Sequence, residues 1–141
     1  MTVLRPQPPE LPAPHRSLFS APYWDACDRG ELRFVRCAAC GLALADAPRI
    51  CWRCHSRDLR WEVSEGRARL YSWSVVWRPQ TPQFQVPYAV AIVELEEGIR
   101  LVSAIVGCEP ADLVEGMALI VEFHPSGPGR MLPYFRPATH A

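Results

Sequence analysis

The second half of the chain alternates short apolar stretches with turn-forming residues, a pattern typical of β-strands in a small all-β domain. The stretches are rich in β-branched and aromatic residues. Residues 96–98 predict a tight hairpin turn, and residues 110–116 predict one helical turn. Five strands with a helical turn between the third and fourth are typical of a Greek-key barrel of the OB type, with an open five-stranded meander as the alternative. The predicted strands cover residues 70–77, 86–95, 99–106, 118–123 and 131–135.

The segment before the barrel predicts one short helix. Ser20 suits the N-cap, Pro22 suits the first turn, and Gly30 suits the end of the helix. Tyr23 and Trp24 place two aromatic rings on this helix. A short helix with so much apolar surface needs something to pack against, and we expect that to be the following segment, the barrel or another subunit.

Two Cys-x-x-Cys motifs carry the most specific chemical signal in the chain. Ten residues separate the first pair, Cys37 and Cys40, from the second, Cys51 and Cys54. Knuckles at this separation can bring four thiolates to one point, at the distance of about 2.3 Å that suits tetrahedral zinc. The four cysteines leave no open position and do not require His55 as a ligand, so we predict structural zinc. A mononuclear iron site, two disulfides or a ribbon without metal are the alternatives.

Residues 1–16 are rich in proline and show no periodicity of a helix or strand. We interpret them as an extended arm that becomes ordered against a partner, with a flexible tail as the alternative. The predicted fold class is mainly β. Its predicted parts are the arm (1–17), the N-terminal helix (18–31), a zinc ribbon (32–64), a small five-stranded OB barrel (65–137) and a tail (138–141).

Composition narrows the class of protein further. With 49% hydrophobic and 10% aromatic residues among its 141, the chain can bury a core. It contains no apolar run long enough to cross a bilayer, and its first residues lack the apolar centre of a signal peptide. We therefore expect a cytoplasmic protein without a membrane role, whose cysteines stay reduced and bind metal.

Charge bears on nucleic-acid binding, which zinc ribbons and OB barrels can both perform. Nine arginines and five acidic residues lie in 29–69, whereas four arginines and seven acidic residues lie in 70–141. A single-strand binder needs a positive groove on the barrel, where this chain is net negative. A nucleic-acid-binding module is therefore the alternative interpretation and not the favoured one.

Catalysis by this chain alone has little support in its sequence. Cys108 and His124 are a thiol and an imidazole that could in principle pair as nucleophile and base. A small buried residue and a contact at the barrel rim are the simpler interpretations. Neither a glycine-rich phosphate loop nor a Ser-His-Asp arrangement is recognisable, and the absence of lysine excludes Schiff-base chemistry. Cys27 is expected to be a small buried hydrophobe.

Five short segments complete the pattern set by the knuckles: Gly30-Glu31-Leu32, Tyr71-Ser72-Trp73 after Gly66, Pro87-Tyr88-Ala89, Leu95-Glu96-Glu97-Gly98 and Leu132-Pro133-Tyr134-Phe135. In this combination the sequence resembles the DUF35 family over residues 18–137. That family joins a rubredoxin-like zinc ribbon to an OB-fold and is also described as acyl-CoA-associated OB-fold proteins.

The resemblance implies a small, non-catalytic subunit that accompanies a thiolase-like enzyme. Partners in the family include acetyl-CoA acetyltransferase, lipid-transfer-protein-type thiolases, aldolases of steroid side-chain breakdown and acyltransferases. The resemblance further implies a hetero-oligomer. In it, zinc would stabilise the folded ribbon, and the helix and ribbon would bind the partner. The barrel loops would border the partner's acyl-CoA channel, and the catalytic residues would lie in the other chain.

Aromatic residues flank the proline-rich loop expected at the barrel mouth, and they are candidate contacts for a pantetheine arm or a protein surface. Each of them could instead face the core. Arg53 represents the ribbon arginines, which could meet the phosphates of a CoA nucleotide or offset the charge of the metal site. The full predicted set of substrate- or partner-binding residues is Tyr23, Trp24, Arg53, Trp73, Trp77, Phe84 and Tyr88.

Overall fold

A computed structural model describes residues 2–138, in which a short helix and a three-stranded sheet precede a closed barrel. The fold is mainly β, as the sequence predicts. The predicted tail lies outside the described residues except for Ala138. The elements are α1 (Ala21–Asp28), β1 (Arg33–Cys37), β2 (Ala43–Leu44), β3 (Leu59–Val63), β4 (Arg67–Val76), β5 (Tyr88–Leu95), β6 (Arg100–Ile105), β7 (Ala118–Pro125) and β8 (Met131–Pro137).

The first sheet carries the two cysteine motifs. Its antiparallel strands are ordered β2-β1-β3, so β1 lies in the centre and ends at Cys37. Val35 and Leu44, which are partners across β1 and β2, are buried together with Cys37 and Cys51 in a small core of their own. This ribbon therefore has too little apolar interior to be stable without a further constraint.

The last five strands close into a barrel in the order β4-β5-β6-β8-β7. Pairing of β4 with β7 completes the circle, which confirms the predicted OB-type barrel over the open meander. Strands β6 and β8 are parallel and are joined through Ile105 and Phe135. Between β6 and β7 the predicted helical turn is a single 3₁₀ turn, Pro110–Asp112, after which the backbone is extended again at Leu113.

Strand β4 contains an irregularity that changes which residues face the core. Arg67 and Arg69 are exposed and alternate with the buried Ala68 and Leu70, so the strand begins earlier than its apolar pattern predicts. Its register with β5 then shifts between Leu70 and Ser72, as at a β-bulge. After the shift, the inward-facing positions have odd residue numbers in place of even ones.

Helix α1 packs against the barrel and the ribbon of its own chain. Oδ1 of Asp28 accepts the N–H of Met131 (3.0 Å), and its Oδ2 pairs with Arg130 (3.2 Å). Ser20 holds the N-cap position, but its hydroxyl accepts the N–H of Ser17 (2.9 Å) and does not cap the first turn.

Across residues 2–138, no helix is long and apolar enough to cross a membrane.

The joint between ribbon and barrel is a short segment, residues 64–66. The buried hydroxyl of Ser64 donates to Oε1 of Glu97 (2.9 Å) and accepts the N–H of Gly66 (2.9 Å). The other carboxylate oxygen of Glu97 accepts the N–H of Glu65 (3.1 Å). Because Glu97 lies in the turn between β5 and β6, a hairpin of the barrel holds the end of the ribbon.

The proline-rich arm is ordered against the barrel of its own chain. Leu4 is 1% exposed and belongs to the barrel core. Its N–H donates to the carbonyl of Cys108 (2.7 Å), and its carbonyl accepts the N–H of Gly107 (2.9 Å), just beyond the end of β6. The carbonyl of Pro9 accepts the N–H of Gly127 (2.8 Å). The expectations of a flexible tail, or of an arm that is ordered only by a partner, are therefore wrong.

Truncation of the buried arm side chain tests this arrangement. We expect Leu4→Ala to lower the free energy of unfolding by about 2 kcal/mol, at the low end for a buried leucine, because the arm can detach without unfolding the barrel. Denaturant unfolding would measure the loss, and limited proteolysis would locate new cleavage in the arm. Val3→Ala is the matched control, since Val3 is exposed. Equal stability of the two variants would contradict the core position of Leu4.

Candidate metal centre

The two cysteine motifs fold into knuckles with the same backbone hydrogen bonds. In each knuckle, the N–H of the first cysteine donates to the carbonyl five residues later at 2.9 Å. The carbonyl of that cysteine accepts the N–H four residues later at 2.8 Å, from Gly41 in the first knuckle and His55 in the second. Gly41 and His55 have left-handed φ angles of 82° and 64°. His55 therefore takes the turn position that glycine holds in the first knuckle.

The four cysteine sulfurs converge at a spacing that fits a metal ion. The Sγ atoms of Cys37, Cys40, Cys51 and Cys54 all lie within 4.8 Å of one another. Two separations are 3.5 Å, from Cys37 to Cys54, and 3.7 Å, from Cys40 to Cys51. Metal–sulfur bonds of about 2.3 Å give a tetrahedron with edges of about 3.8 Å, whereas a disulfide requires about 2.05 Å. The thiols are free, so the geometry favours a metal over the disulfide alternative.

Backbone N–H groups favour the ionised form of the two thiols in the first knuckle. The N–H groups of Cys40 and Ala39 lower the pKa of Cys37. The N–H of Leu42, assisted by the Arg53 guanidinium, lowers the pKa of Cys40 to about 6. In the second knuckle the N–H of Ser56 acts in the same direction, but desolvation and the neighbouring thiols outweigh it and raise the pKa of Cys54 to about 12. Thiolates are the form that binds zinc or iron. The first knuckle therefore favours binding of a cation.

Arginines fasten the ribbon around the cluster. Arg53 is exposed and donates to the carbonyl of Cys40 (3.1 Å), which links the second knuckle to the first. Arg36 donates to the carbonyl of Gly41 (2.9 Å) and pairs with Glu62 on β3 (3.0 Å). Arg53, predicted as a contact for a ligand or partner, thus has a structural bond within the chain as well.

The four aromatic residues predicted at the barrel mouth differ in exposure. Trp77, just after β4, is 61% exposed. Phe84 and Tyr88 are half-buried and stack on each other with ring centroids 5.9 Å apart. Trp73 packs against the barrel core and borders a shallow depression with Tyr71. Of the four, Trp77 therefore presents the most free aromatic surface.

The loop that carries Phe84 is bonded to the arm. Nε2 of Gln7 donates to the carbonyl of Gln85 (3.1 Å), and Oε1 of Gln7 accepts the N–H of Gln85 (2.9 Å). The backbone N–H of Gln7 donates to the hydroxyl of Tyr134 on β8 (3.1 Å). One glutamine of the arm therefore connects the loop to the barrel wall.

Tyr23 and Trp24 are in edge-to-face contact, with centroids 4.8 Å apart, beside a cavity of about 340 Å³. The cavity lies where α1, the ribbon and the β5–β6 hairpin meet. Tyr23 packs against the barrel core, and burial raises the pKa of its hydroxyl above the usual range, so it stays protonated. The two rings that the sequence assigns to packing or partner contact thus line an internal surface.

A group of exposed apolar residues near the second knuckle was not singled out from the sequence. We call Leu18, Phe19, Ile50 and Trp52 the knuckle patch; Leu18 is 84% exposed and Trp52 is 69% exposed. The Arg49 guanidinium lies 4.2 Å from the ring centroid of Phe19 and joins the two halves of the patch. Trp52 could have been found, because the middle residues of a Cys-x-x-Cys knuckle point away from the metal. No pattern marks Leu18 or Phe19.

The residues considered for catalysis have other partners. The His124 ring bonds to Glu122, whose second oxygen pairs with Arg136 (3.0 Å). Cys108 is half-buried, and burial raises the pKa of its thiol. Cys27 is fully buried, as expected from the sequence. Nothing in this geometry joins Cys108 to His124 as nucleophile and base.

Comparison with known proteins places these features in a family. Residues 61–124 match the family described as ChsH2, C-terminal OB-fold domain. A probable enoyl-CoA hydratase alpha subunit of Thermomonospora curvata is 36% identical over 130 residues, which are 91% of this chain and 40% of that protein. The chain thus spans less than half of the hydratase subunit's length.

Two further relatives match over most of their own length. A DUF35 domain-containing scaffold protein of Methanothermobacter thermautotrophicus is 39% identical over 91 residues, which are 62% of this chain and 68% of that protein. A solved structure of an Ltp2–ChsH2(DUF35) aldolase contains a chain with 35% identity and a TM-score of 0.84, covering 90% of this chain and 100% of that one. The knuckles, the closed barrel and these similarities together show that the chain belongs to the DUF35 family.

Proposed function

We propose that this chain is a zinc-binding, non-catalytic accessory subunit of a thiolase-like complex that acts on CoA thioesters in the cytoplasm. The observation that carries the proposal is its similarity to the DUF35 chain of the Ltp2–ChsH2(DUF35) aldolase, which it covers completely. The partner would be a lipid-transfer-protein-type thiolase, an aldolase or an acetyl-CoA acetyltransferase. The accessory chain would stabilise this enzyme and shape its acyl-CoA site.

Zinc would have a structural role in this subunit. Cys37, Cys40, Cys51 and Cys54 would hold the ion and fill its tetrahedral shell, which leaves no position for a substrate. The ion would supply the constraint that the small apolar interior of the ribbon lacks. Its effect on the complex would therefore be to fix the shape of the ribbon and not to polarise a bond.

Two surfaces are suited to contact the partner enzyme. The knuckle patch presents exposed apolar side chains on the ribbon, and Arg49 and Arg53 give its border positive charge. At the barrel mouth, Trp77 and the Phe84–Tyr88 stack would border the acyl-CoA channel. Aromatic residues and arginine are the types enriched at protein interfaces. The two surfaces would hold the partner while its own residues perform the reaction.

Co-expression with a thiolase-like enzyme of the proposed partner class tests the proposal. We expect both chains to co-elute in size-exclusion chromatography with about one zinc ion per four cysteines, and acyl-CoA activity to require the enzyme subunit. Trp52→Ala should weaken co-elution, whereas Val114→Ala, at an exposed position that belongs to neither surface as defined above, should not. The proposal would be overturned if the chain did not associate with the enzyme but bound single-stranded nucleic acid.

A further inference from the structure

The cavity beside α1 is open on one side and has the size of a binding site for a small molecule. We propose that it binds a neutral amphipathic ligand with an apolar body of roughly a dozen non-hydrogen atoms and one hydroxyl or carbonyl oxygen. Its volume is about 340 Å³, within the range of ligand pockets, roughly 300–1,000 Å³. It is about twice the size of a cavity of about 150 Å³ that binds benzene. Pockets of this kind occur preferentially where separate structural units meet.

The walls of the cavity are mostly apolar and come from all three parts of the fold. Helix α1 contributes Trp24, the barrel hairpin contributes Leu101 and Val102, and the ribbon contributes Ala45 and Trp61. Val102 is 74% exposed and marks the open side. Removing the apolar body of a ligand from water against these side chains would supply most of the binding free energy.

A few polar groups define where the ligand's oxygen would lie. The hydroxyl of Tyr23 can donate and accept. Burial raises its pKa most, followed by Cys27 and the nearby Asp46 carboxylate, which also lines the cavity. Ser20 and Arg33 also line the cavity, and Arg33 pairs with Glu31 (3.0 Å), which pairs with Arg29 as well (3.3 Å). Asp46 forms no ion pair within residues 2–138. The Asp46 carboxylate near Tyr23 therefore favours a neutral oxygen over a carboxylate at this end of the cavity.

The cavity is formed before any ligand binds. Phe34, Leu44 and Ile99 make up a buried floor, so the walls stand on packed side chains. Asp46 and Ala47 hold left-handed φ angles of 67° and 49°, an uncommon pair of conformations for residues other than glycine. Strained backbone of this kind is concentrated at functional sites. A preformed site loses little entropy when a ligand binds.

Titration of the full-length, metal-loaded chain with 1-alkanols from butanol to decanol tests the proposal, by calorimetry and by tryptophan fluorescence. We expect saturable one-site binding. Its affinity should rise about fourfold per methylene, because each buried methylene adds a similar increment to the binding free energy. Decanoate should bind at least tenfold more weakly than 1-decanol. Asp46→Asn should narrow that difference, since asparagine tolerates the left-handed backbone and removes the charge. A decanoate that binds as tightly as 1-decanol would overturn the proposed polarity.

Variants that fill the cavity locate the binding site. Ala45→Phe places a ring within the cavity, and Val102→Phe covers its open side from an exposed position that tolerates change. Each should weaken binding of 1-decanol at least tenfold. Val90→Phe, exposed on β5 outside the cavity lining, is the control and should bind normally.

Two results would overturn the proposal: no saturable binding of 1-decanol up to its solubility limit, or binding that Val102→Phe leaves unchanged. The experiment uses this chain alone, so its failure would leave the accessory-subunit proposal untouched.

Discussion

Replacing Cys51 by serine should release the metal, unfold the ribbon and abolish association with the proposed partner enzyme. Cys51 is fully buried, and its sulfur lies 3.7 Å from that of Cys40. Structural zinc contributes about 10–16 kcal/mol of apparent binding free energy in small modules, which is comparable to the whole stability of a typical domain, about 5–15 kcal/mol. The few buried residues of the ribbon cannot replace that contribution.

Metal analysis, circular dichroism and co-elution with the enzyme would measure the effect of Cys51→Ser. Cys108→Ser provides the control, because it also removes a thiol but lies outside the cluster. It should retain its metal and its partner. A Cys51→Ser protein that remained folded in the ribbon and bound to the enzyme would refute the structural role of the site. Metal removal from the unmodified chain by a chelator should reproduce the loss.

Gly66→Ala should lower the free energy of unfolding by about 3 kcal/mol, as the sum of backbone strain and overpacking. Gly66 has a φ of +77°, and a Cβ at this position would overlap Cγ1 of Val121 on β7. Val121 is β-branched and therefore has few alternative rotamers. The N–H of Gly66 also bonds the Ser64 hydroxyl, so displacement of this backbone would disturb the joint between ribbon and barrel.

Gly98→Ala separates the two causes of the Gly66 effect. Gly98 also has a positive φ, +101°, but its Cβ would meet no atom within 4 Å. It should cost only the strain, about 1–2 kcal/mol. Denaturant unfolding of both variants measures the difference. Equal losses of free energy of unfolding would show that Val121 moves aside without a free-energy cost, and overpacking would then not contribute to the effect of Gly66→Ala.

Local patterns were sufficient to predict the knuckles and the barrel strands. Cys-x-x-Cys spacing specifies a turn almost completely, and β5 displays its alternation over eight residues, with Ala89, Ala91, Val93 and Leu95 all buried. Strand β4 was harder, because Arg67 and Arg69 mask its start and the register shift after Leu70 reverses the faces. This reversal places Trp73 against the core, so its exposure could not be predicted from alternation.

Features that depend on distant partners could not be predicted. Leu4 is an ordinary residue among prolines, and its burial depends on Gly107 and Cys108, about a hundred positions later in the chain. The cavity likewise exists because Tyr23, Ala45 and Val102 meet from three separate units. No short stretch of sequence contains all the residues of such a site. To predict it, one must know how whole elements pack together, and the periodicity of each element does not give this.

The bonds between Gln7 and Gln85 affect the energetics of recognition at the barrel mouth. A proline-rich loop is ordinarily a mobile segment that loses conformational freedom when it binds. Here two hydrogen bonds join the side chain of Gln7 in the arm to the backbone of Gln85 in the loop. If these residues contact the proposed partner, Phe84 and Tyr88 would therefore meet it as an aromatic pair that is already ordered. The order of this aromatic pair depends on a segment of the arm that lies 78 residues away in the chain.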